Sequence, residues 1–338
     1  MQADAPVIIG GENLIDSIAE SSGTTADGFF HSLGGSPYNV AVALGRQVVM
    51  TQYVSPISTD DFGLRLAVHL TAQGVTLTGP RLDAPTSRAI VTLKDGIPHY
   101  RFLRDGTAER MITTPMLQAA IPANARHFHI GSLALAGGAD ADVWEAAFIA
   151  AAGAGICTSL DPNVRPSLID DPDSYRARIT RLLGHATVVK LSDEDLDWLY
   201  PGMAQEAAIA TLRSQTKAAL VALTKGPDGA EAWTAQHHVR VANPAFSGLI
   251  DTIGAGDTFM ATLIAGLAAN DQLGKDAIIA LGEDALAALI KRGIYAACLN
   301  CTKEGCNPPS AAELAEALKN ERRGHVTSTQ PTARFGPI

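Results

Sequence analysis

The chain has 338 residues, of which 46% are hydrophobic, and a formal net charge of −9. This length and apolar content suit one large α/β domain or two modest ones, and the acidic balance argues against nucleic-acid and anionic-membrane partners. The N-terminal residues lack the pattern of a signal peptide, and no uncharged apolar run reaches the ~18 residues of a membrane span, so we expect a cytoplasmic protein.

Short apolar runs that favour strands alternate with helical patterns along most of the chain. The predicted strands cover residues 7–9, 51–56, 127–130, 157–160, 188–191 and 219–224. The predicted helices cover residues 40–47, 63–73, 141–152, 193–200, 205–215, 258–269, 285–299 and 310–319. This alternation predicts a parallel sheet covered by helices on both faces. Sites in such sheets lie beyond the carboxyl ends of the strands, where Asp161, Ser192 and Lys225 are expected.

One segment breaks this alternation. Residues 87–93 and 98–104 read as two strands around Asp95-Gly96, which predicts a β-hairpin. The stretch 10–30 is expected to add strands beside it. The polar segment 321–338, with two prolines, is expected to be a loosely ordered tail.

The segment 251–259, with the sequence DTIGAGDTF, joins a turn of small residues to the start of an apolar helix. N–H groups at a helix start are unsatisfied and carry partial positive charge, and glycines let them close around an anion. Asp257 lies inside this predicted phosphate cradle, where a carboxylate is electrostatically costly. A general base that takes a proton from an attacking hydroxyl explains its presence. The alternative is an ordinary helix start with an Asp cap.

The string 251–259 resembles the second signature of the PfkB (ribokinase-like) carbohydrate kinase family, and GGSPYNVAVALGR at 34–46 resembles the first. The resemblance implies a three-layer α/β/α sandwich over residues 1–320, with a mostly parallel central sheet and a small β lid from about 10–33 and 86–105. It also implies ATP-dependent phosphorylation of a primary hydroxyl of a sugar. Asp257 would be the general base, and the N–H groups of Gly254, Ala255 and Gly256 would hold the transferring phosphoryl group.

The same resemblance implies a set of substrate-binding residues: Asp16, Gly34, Gly35, Asn39, Arg104, Arg165 and Asp257. The Asn39 amide offers a sugar hydroxyl both a donor and an acceptor, and Arg165 offers a fork of donors to a phosphate or carboxylate. Without the resemblance, Asp16 is typical of a solvated loop, Asn39 of a helix start and Arg165 of a surface ion pair.

For the nucleotide, the resemblance implies contacts from residues in three segments: Ser192, Thr224, Lys225, Gly226, Gly229 and Gly256. The loop LTKGPDGA at 223–230 also has an ordinary reading as a Pro-Asp-Gly hairpin turn. Mg²⁺ is the implied cofactor with ATP, held through water at the place of the family's N-x-x-E motif. Ser192 and Asp195 stand where the motif has Asn and Glu, so the role of Asp195 stays open, with Glu194 as a substitute. An acidic first helical turn is the alternative.

A monovalent cation, K⁺, is a further cofactor that the resemblance brings in, next to the anion site. Its matching places are Asp251, Ile253, Asn300 and Gly305, whose oxygens would suit a hard cation. The sequence does not decide whether K⁺ binds. A homodimer formed through the lid is likewise left open.

The substrate has two readings. The strings DPNVRP at 161–166 and DGTAER at 105–110 resemble fructokinase-type members and favour fructose, giving fructose 6-phosphate. 2-Keto-3-deoxygluconate is the alternative, with Arg104 or Arg165 as partner of its carboxylate. A non-catalytic sugar and nucleotide sensor is an alternative of another class, but a sensor has no need of Asp257 as a base. The motifs of Walker-type NTPases and of Rossmann oxidoreductases are absent.

Overall fold

Apolar strands and amphipathic helices assemble around one large sheet in this computed structural model, which describes residues 5–19, 28–94 and 97–322. Within these residues the strands are β1 (Val7–Ile9), β2 (Leu14–Ala19), β3 (Phe29–Gly34), β4 (Thr51–Tyr53), β5 (Ile57–Ser58), β6 (Val75–Leu77), β7 (Arg81–Leu82), β8 (Ser87–Lys94), β9 (Ile97–Leu103), β10 (His127–Gly131), β11 (Cys157–Asp161), β12 (Val188–Ser192), β13 (Leu220–Thr224), β14 (Ala230–Trp233) and β15 (His238–Val241). The helices are α1 (Ser36–Arg46), α2 (Asp61–Ala72), α3 (Thr114–Ala120), α4 (Ala139–Gly153), α5 (Pro172–Leu183), α6 (Asp193–Leu199), α7 (Gln205–Gln215), α8 (Ala255–Ala269), α9 (Lys275–Ile279), α10 (Glu283–Cys301) and α11 (Ala311–Arg322). Among the described residues, no helix combines the length and the apolar character that crossing a bilayer requires.

The central sheet has nine strands in the order β15-β14-β13-β12-β11-β10-β1-β4-β6. Strands β13 to β6 in this order pair in parallel, and β14 and β15 are antiparallel at one edge. Side chains of a strand alternate between its two faces. Val7 and Ile9 accordingly pack in a buried cluster with residues of α1, α8 and α10, whereas Ile8 packs in a second cluster with residues of α4 and α5. The predicted three-layer α/β/α fold is therefore confirmed.

Two helices that bear the site begin earlier than the sequence pattern predicted. Helix α1 begins at Ser36 rather than at residue 40, because Pro37 is well suited to the first turn and Gly35, at φ 110°, turns the chain into it. Helix α8 begins at Ala255 rather than at residue 258, after Gly254 in the left-handed region. Strands β5, β6, β7, β14 and β15 and helices α3, α5 and α9 were not predicted. Strands β13 and β14 form a hairpin across residues 225–229, as the turn reading of that loop expected.

A separate four-stranded sheet in the order β3-β2-β8-β9 forms what we call the lid sheet, after its predicted role. Ser17 in β2 contacts His31 Nδ1 in β3 at 2.9 Å and accepts hydrogen bonds from Arg88 in β8. The Arg88 guanidinium lies 5.2 Å from the centre of the Phe62 ring on α2 and so ties this sheet to the main body. The predicted hairpin is present, but its turn at 95–96, residues 20–27 and the tail from 323 lie outside the described residues. Dimerisation through this sheet stays a prediction.

A row of polar side chains lies buried between β10 and β11. His127 Nε2 is 2.7 Å and His129 Nδ1 is 2.9 Å from the Ser159 hydroxyl. A hydroxyl has one proton, so Ser159 donates to one imidazole and accepts from the other, and both rings are neutral. Burial lowers the pKa of each histidine to about 3. This makes the row a source of acid sensitivity.

We expect the His127→Gln variant, whose amide can replace the Nε2 contact, to lose stability less steeply than wild type as pH falls from 6 to 4. The native pKa of His127 lies below its unfolded value of 6.5. Stability from the neutral ring is therefore complete above pH 6.5 and is lost as pH falls towards 3, at up to about 1.4 kcal/mol per pH unit. Urea unfolding followed by circular dichroism at each pH measures the free energy of unfolding of both proteins. The contribution of the buried carboxylates is the same in both and cancels in the difference between them. The exposed His185→Gln is the control, and wild-type and His127→Gln curves that stay parallel would contradict the expectation.

Candidate active site

The carboxyl ends of neighbouring parallel strands place several predicted residues along one edge of the central sheet. Gly131 pairs with Asp161 at the ends of β10 and β11, and Ser192 pairs with Thr224 at the ends of β12 and β13. The loop that holds Lys225 continues from the same edge. The sheet therefore gathers these residues where the sequence predicted them.

Asp257 lies where the two signature strings meet. Its Oδ1 accepts a hydrogen bond from the Ser36 hydroxyl at 2.6 Å, and its Oδ2 accepts one from the Asn39 amide at 2.8 Å, across 218 residues of sequence. Only 6% of Asp257 is exposed. Burial raises its pKa, while the bonds from Ser36 and Asn39 and the charge of Lys190 oppose the rise. The carboxylate is thus shielded from bulk water but supplied with donors.

The start of α8 differs in one respect from the predicted anion site. The N–H of Ala255 donates to the Thr252 carbonyl at 3.1 Å, so the turn already uses this donor. The N–H groups of Gly256 and Asp257 belong to the first helical turn, which offers them no carbonyl four residues earlier. The expectation for Ala255 is therefore corrected: the donors left in the first helical turn are those of the next two residues, and the role expected of Gly254 stays a prediction.

Lys190 adds a positive charge at the same place. Its Nζ is 2.9 Å from Asp161 Oδ2, and both side chains are buried. A Cβ on residue 256 would lie 2.9 Å from this Nζ, so the absence of a side chain at Gly256 lets the ammonium approach the helix start. Burial disfavours the charged ammonium, but the carboxylates of Asp161 and Asp195 outweigh it and raise the pKa of Lys190. Lys190 therefore stays charged.

Four of the residues predicted to bind sugar converge from β2, from the end of β3 and from the start of α1. A Cβ on Gly34 would lie 2.4 Å from Asp16 Oδ2, and one on Gly35 would lie 2.7 Å from the Glu12 carbonyl. Gly35 also has a positive φ, so glycine is required there, whereas a side chain at residue 34 would displace the Asp16 carboxylate. Burial raises the pKa of Asp16 to about 6, and the charge of Arg165 opposes the rise. Asp16, Gly34, Gly35 and Asn39 lie together at the start of α1, next to Asp257.

The two predicted arginines differ in their surroundings. Arg104 Nε donates to Glu109 Oε1 at 2.9 Å and its Nη2 donates to Oε2 at 3.2 Å, with both residues buried. A buried guanidinium requires such a partner, so these two donors of Arg104 are engaged by Glu109, against the substrate contact that the resemblance implied. Arg165 is exposed, and its Nη1 donates to Asn163 Oδ1 at 2.7 Å. Its charge acts on both Asp16 and Asp257.

At the start of α6, Asp195 serves the backbone. Ser192 and Asp195 form a reciprocal capping box, and Asp195 Oδ1 also accepts the N–H of Val164 at 2.7 Å. Each carboxylate oxygen thus already accepts a backbone N–H, because the side chain is one methylene shorter than Glu and stays at the helix end. The acidic helix start that the sequence offered as the alternative is therefore present, and a metal-shell role for Asp195 stays a prediction. Glu194 beside it is exposed.

The predicted nucleotide loop is shaped by glycines and by one ion pair. Gly226 has φ 49° and Gly229 has φ 93°, and a Cβ on Gly229 would lie 2.1 Å from the Val241 carbonyl. Lys225 Nζ donates to Glu231 Oε1 on β14. The loop therefore has the glycines it needs, while its lysine is paired within the protein.

The four residues predicted for a monovalent cation lie together beside α8. Asp251 accepts the N–H of Ile253 and that of Gly305, each at 2.8 Å, and Asn300 Nδ2 donates to the Ile253 carbonyl at 2.6 Å. Cys306, next along the chain, lies against Gly254. In the part of the chain that the structure describes, no group of three or more His, Cys, Asp or Glu side chains is arranged to hold a metal ion.

Sequence reasoning missed three residues of this site: Glu12, Ser36 and Lys190. The sequence did point to Lys190, because a lysine between apolar residues of a short buried strand requires a charged partner. Ser36 and Glu12 had none, since their importance depends on contacts with residues that are distant in sequence.

Comparisons with known proteins agree with this geometry. The model of the pfkB family of carbohydrate kinases matches residues 7–313. A fructokinase of Rhizobium leguminosarum bv. trifolii is 35% identical over 277 residues, covering 82% of this chain and 84% of the relative. Fructokinase-2 of Zea mays is 31% identical, covering 92% and 93%. A crystal structure of Xylella fastidiosa fructokinase with bound ATP has a TM-score of 0.85 at 26% identity and covers 94% of this chain and 99% of that one.

Proposed function

Because the chain belongs to the pfkB family of ATP-dependent carbohydrate kinases, we propose that it transfers the γ-phosphoryl group of ATP to a primary hydroxyl of fructose, giving fructose 6-phosphate and ADP. The observation that carries the proposal is the buried Asp257 carboxylate at the start of α8, with the Lys190 ammonium beside it. The names of the relatives support fructose as the sugar.

In the proposed reaction, Asp257 takes the proton of the sugar hydroxyl as its oxygen attacks the γ-phosphorus. The bond from the γ-phosphorus to the bridging oxygen breaks, and ADP leaves with that electron pair. Negative charge develops on the phosphoryl oxygens, where the N–H groups of Gly256 and Asp257 and the charge of Lys190 stabilise it. Preorganised donors of this kind commonly contribute ~3–4 kcal/mol each. The chain's part is thus to position the alcohol, accept one proton and balance charge.

The sugar is proposed to lie between the lid sheet and the start of α1. Asp16 and Asn39 come from these two elements and supply the acceptors and donors that sugar hydroxyls need. The nucleotide is proposed to lie along the ends of β12 and β13, with Ser192, Thr224, Gly226 and Gly229 around it. Lid closure over the sugar would exclude water and keep ATP hydrolysis slow in its absence.

The acidic residues at the carboxyl ends of β11 and β12 fit a hydrated Mg²⁺. Glu194 is exposed at the helix start, and Asp161 has a buried Oδ1 for which the described residues provide no partner. When bound with ATP, the ion supplies neutralisation of phosphate charge. The oxygen-rich cluster of Asp251, Ile253, Asn300 and Gly305 fits K⁺. Both assignments are part of the proposal.

The alternative substrate, 2-keto-3-deoxygluconate, needs a cation for its carboxylate. The Arg104 guanidinium is bound to Glu109, which leaves Arg165 as the candidate. One of the two arginines that this alternative relied on is therefore engaged within the protein. The sensor alternative does not account for a buried carboxylate kept next to a lysine at a helix start.

The test is a panel of fructose, 2-keto-3-deoxygluconate, ribose and adenosine, each assayed with ATP and Mg²⁺ by coupled ADP release. We expect kcat/KM for fructose to exceed that for the others by roughly 100-fold, since hydrogen-bonding sites discriminate strongly against substrates that leave buried polar groups unpaired. Preference for 2-keto-3-deoxygluconate would replace the substrate proposal. Binding of sugar and ATP without turnover would favour the sensor.

A further inference from the structure

The backbone of Ser36 is held in place from several sides. Its N–H donates to Glu12 Oε1 at 3.0 Å, and Glu12 Oε2 accepts the N–H of Ala134 at 3.3 Å. Glu12 is buried, and Gly35 before Ser36 admits no Cβ against the Glu12 carbonyl. On the other side, a Cβ on Gly11 would lie 2.4 Å from Pro37 Cγ, so the proline packs directly on that glycine. The direction of the Ser36 side chain is therefore fixed by its surroundings.

The hydroxyl in this fixed position has one charged partner. It donates its proton to Asp257 Oδ1 at 2.6 Å, a short distance typical of a bond to a carboxylate. Asn39 donates to the other oxygen at 2.8 Å. Each carboxylate oxygen has a second lone pair, so a sugar hydroxyl can still bind the same group. The two donors thus fix the plane of the carboxylate without blocking it.

Charged and titratable groups face Asp257 from the other elements packed around it. Lys190 from β12 and Arg165 from the loop after β11 favour its charged form. Asp161 at the end of β11 and Cys306 in the loop after α10 interact with it as acidic groups, and burial keeps the pKa of the Cys306 thiol above its ordinary value. Burial disfavours the charged form of Asp257, so the carboxylate depends on a few neighbours to stay charged. Ser36 is one of the two that donate a hydrogen bond to it directly.

We propose that Ser36 is a positioning residue that keeps Asp257 charged and correctly oriented to take the proton of the sugar hydroxyl. The inference rests on the proposed function and deepens it. A buried carboxylate that loses a hydroxyl donor gains a proton more readily, and a protonated Asp257 has no capacity to act as a base. Ser36 acts through Asp257 and does not itself touch the reacting atoms.

The first test is the pH dependence of kcat/KM. In Ser36→Ala, the acid limb should move to higher pH by about one unit, because a hydrogen bond to a charged group is lost. Ser36→Thr, which keeps the hydroxyl, should leave the limb near its wild-type place. Ser87→Ala is the matched control, since Ser87 is buried and its hydroxyl also donates to a carboxylate, that of Glu109 at 2.8 Å, and not to Asp257. It should change stability without moving the limb.

The deciding measurement does not need turnover. The chain is labelled with ¹³Cγ aspartate, and the Asp257 signal is identified by its absence in Asp257→Asn. Its titration midpoint should rise in Ser36→Ala and stay unchanged in Ser87→Ala. An unchanged midpoint in Ser36→Ala would overturn the inference, whatever the activity. A raised midpoint in a protein that phosphorylates no sugar would leave the Ser36 link standing and remove the proposed function, so the two failures are distinct.

Discussion

Replacing Asp257 with Asn should lower kcat by about three orders of magnitude and leave sugar affinity nearly unchanged. The amide is close in shape to the carboxylate and can still accept from Ser36, but it has no capacity to take the hydroxyl proton. Asp16 is untouched, and Asn39 keeps its place in α1, although the new amide has only one oxygen to share between Ser36 and Asn39. Steady-state kinetics measure kcat, and isothermal titration with the sugar alone measures affinity.

Asp140→Asn is the matched control for this variant. Asp140 is a buried aspartate too, but it binds Arg110 at 2.9 Å, away from Asp257. This control should lose stability and keep turnover. If Asp257→Asn instead kept kcat within a few-fold of wild type, Asp257 would not be the base.

Replacing Lys190 with Met should lower kcat/KM by about two to three orders of magnitude, because a preorganised positive charge at the phosphoryl site is lost. The same change leaves Asp161 buried without its partner, which should lower the free energy of unfolding by about 3–5 kcal/mol. Activity and stability are therefore both expected to fall, and they need to be separated.

Asp161→Asn provides the background that separates them. The double variant, with Lys190→Met and Asp161→Asn, has neither charge of the buried pair. It should therefore be more stable than Lys190→Met alone, in which the Asp161 carboxylate is left buried without a partner. Its kcat/KM should still be about 100-fold below that of Asp161→Asn. Urea unfolding and coupled kinetics on the four proteins measure both quantities. Equal kcat/KM for the double variant and Asp161→Asn would show that the Lys190 charge is not used.

The alternation of apolar runs was enough to predict the three-layer fold, because buried parallel strands such as β1 and β13 are apolar on both faces. It was not enough for edge elements. Strands β14 and β15 have mixed patterns, since their stability comes from pairing with β13. Helix α1 was predicted too short because its first turn, Ser36 to Asn39, is polar or carries proline, and only the turn at Gly35 reveals where it begins.

The site was predicted where a residue's role depends on its own segment, and missed where it depends on a partner. The string around Asp257 placed it at a helix start from sequence alone. That Arg104 would bind Glu109, five residues on, or that Asp195 would cap the backbone, depends on how loops close in three dimensions. Ala255 was expected to donate to phosphate, but its N–H closes a turn with Thr252. Residue types alone do not indicate which of several nearby acceptors a given N–H will bind.

The bond between Asn39 and Asp257 joins parts of the chain made far apart in time. A ribosome-bound chain that ends before α8 carries Asp16 and Asn39 but has neither the base nor the helix start beside it. Contacts of such long sequence separation form late in folding. Phosphoryl transfer should therefore begin only once synthesis has passed α8, and fragments truncated before it should release no ADP.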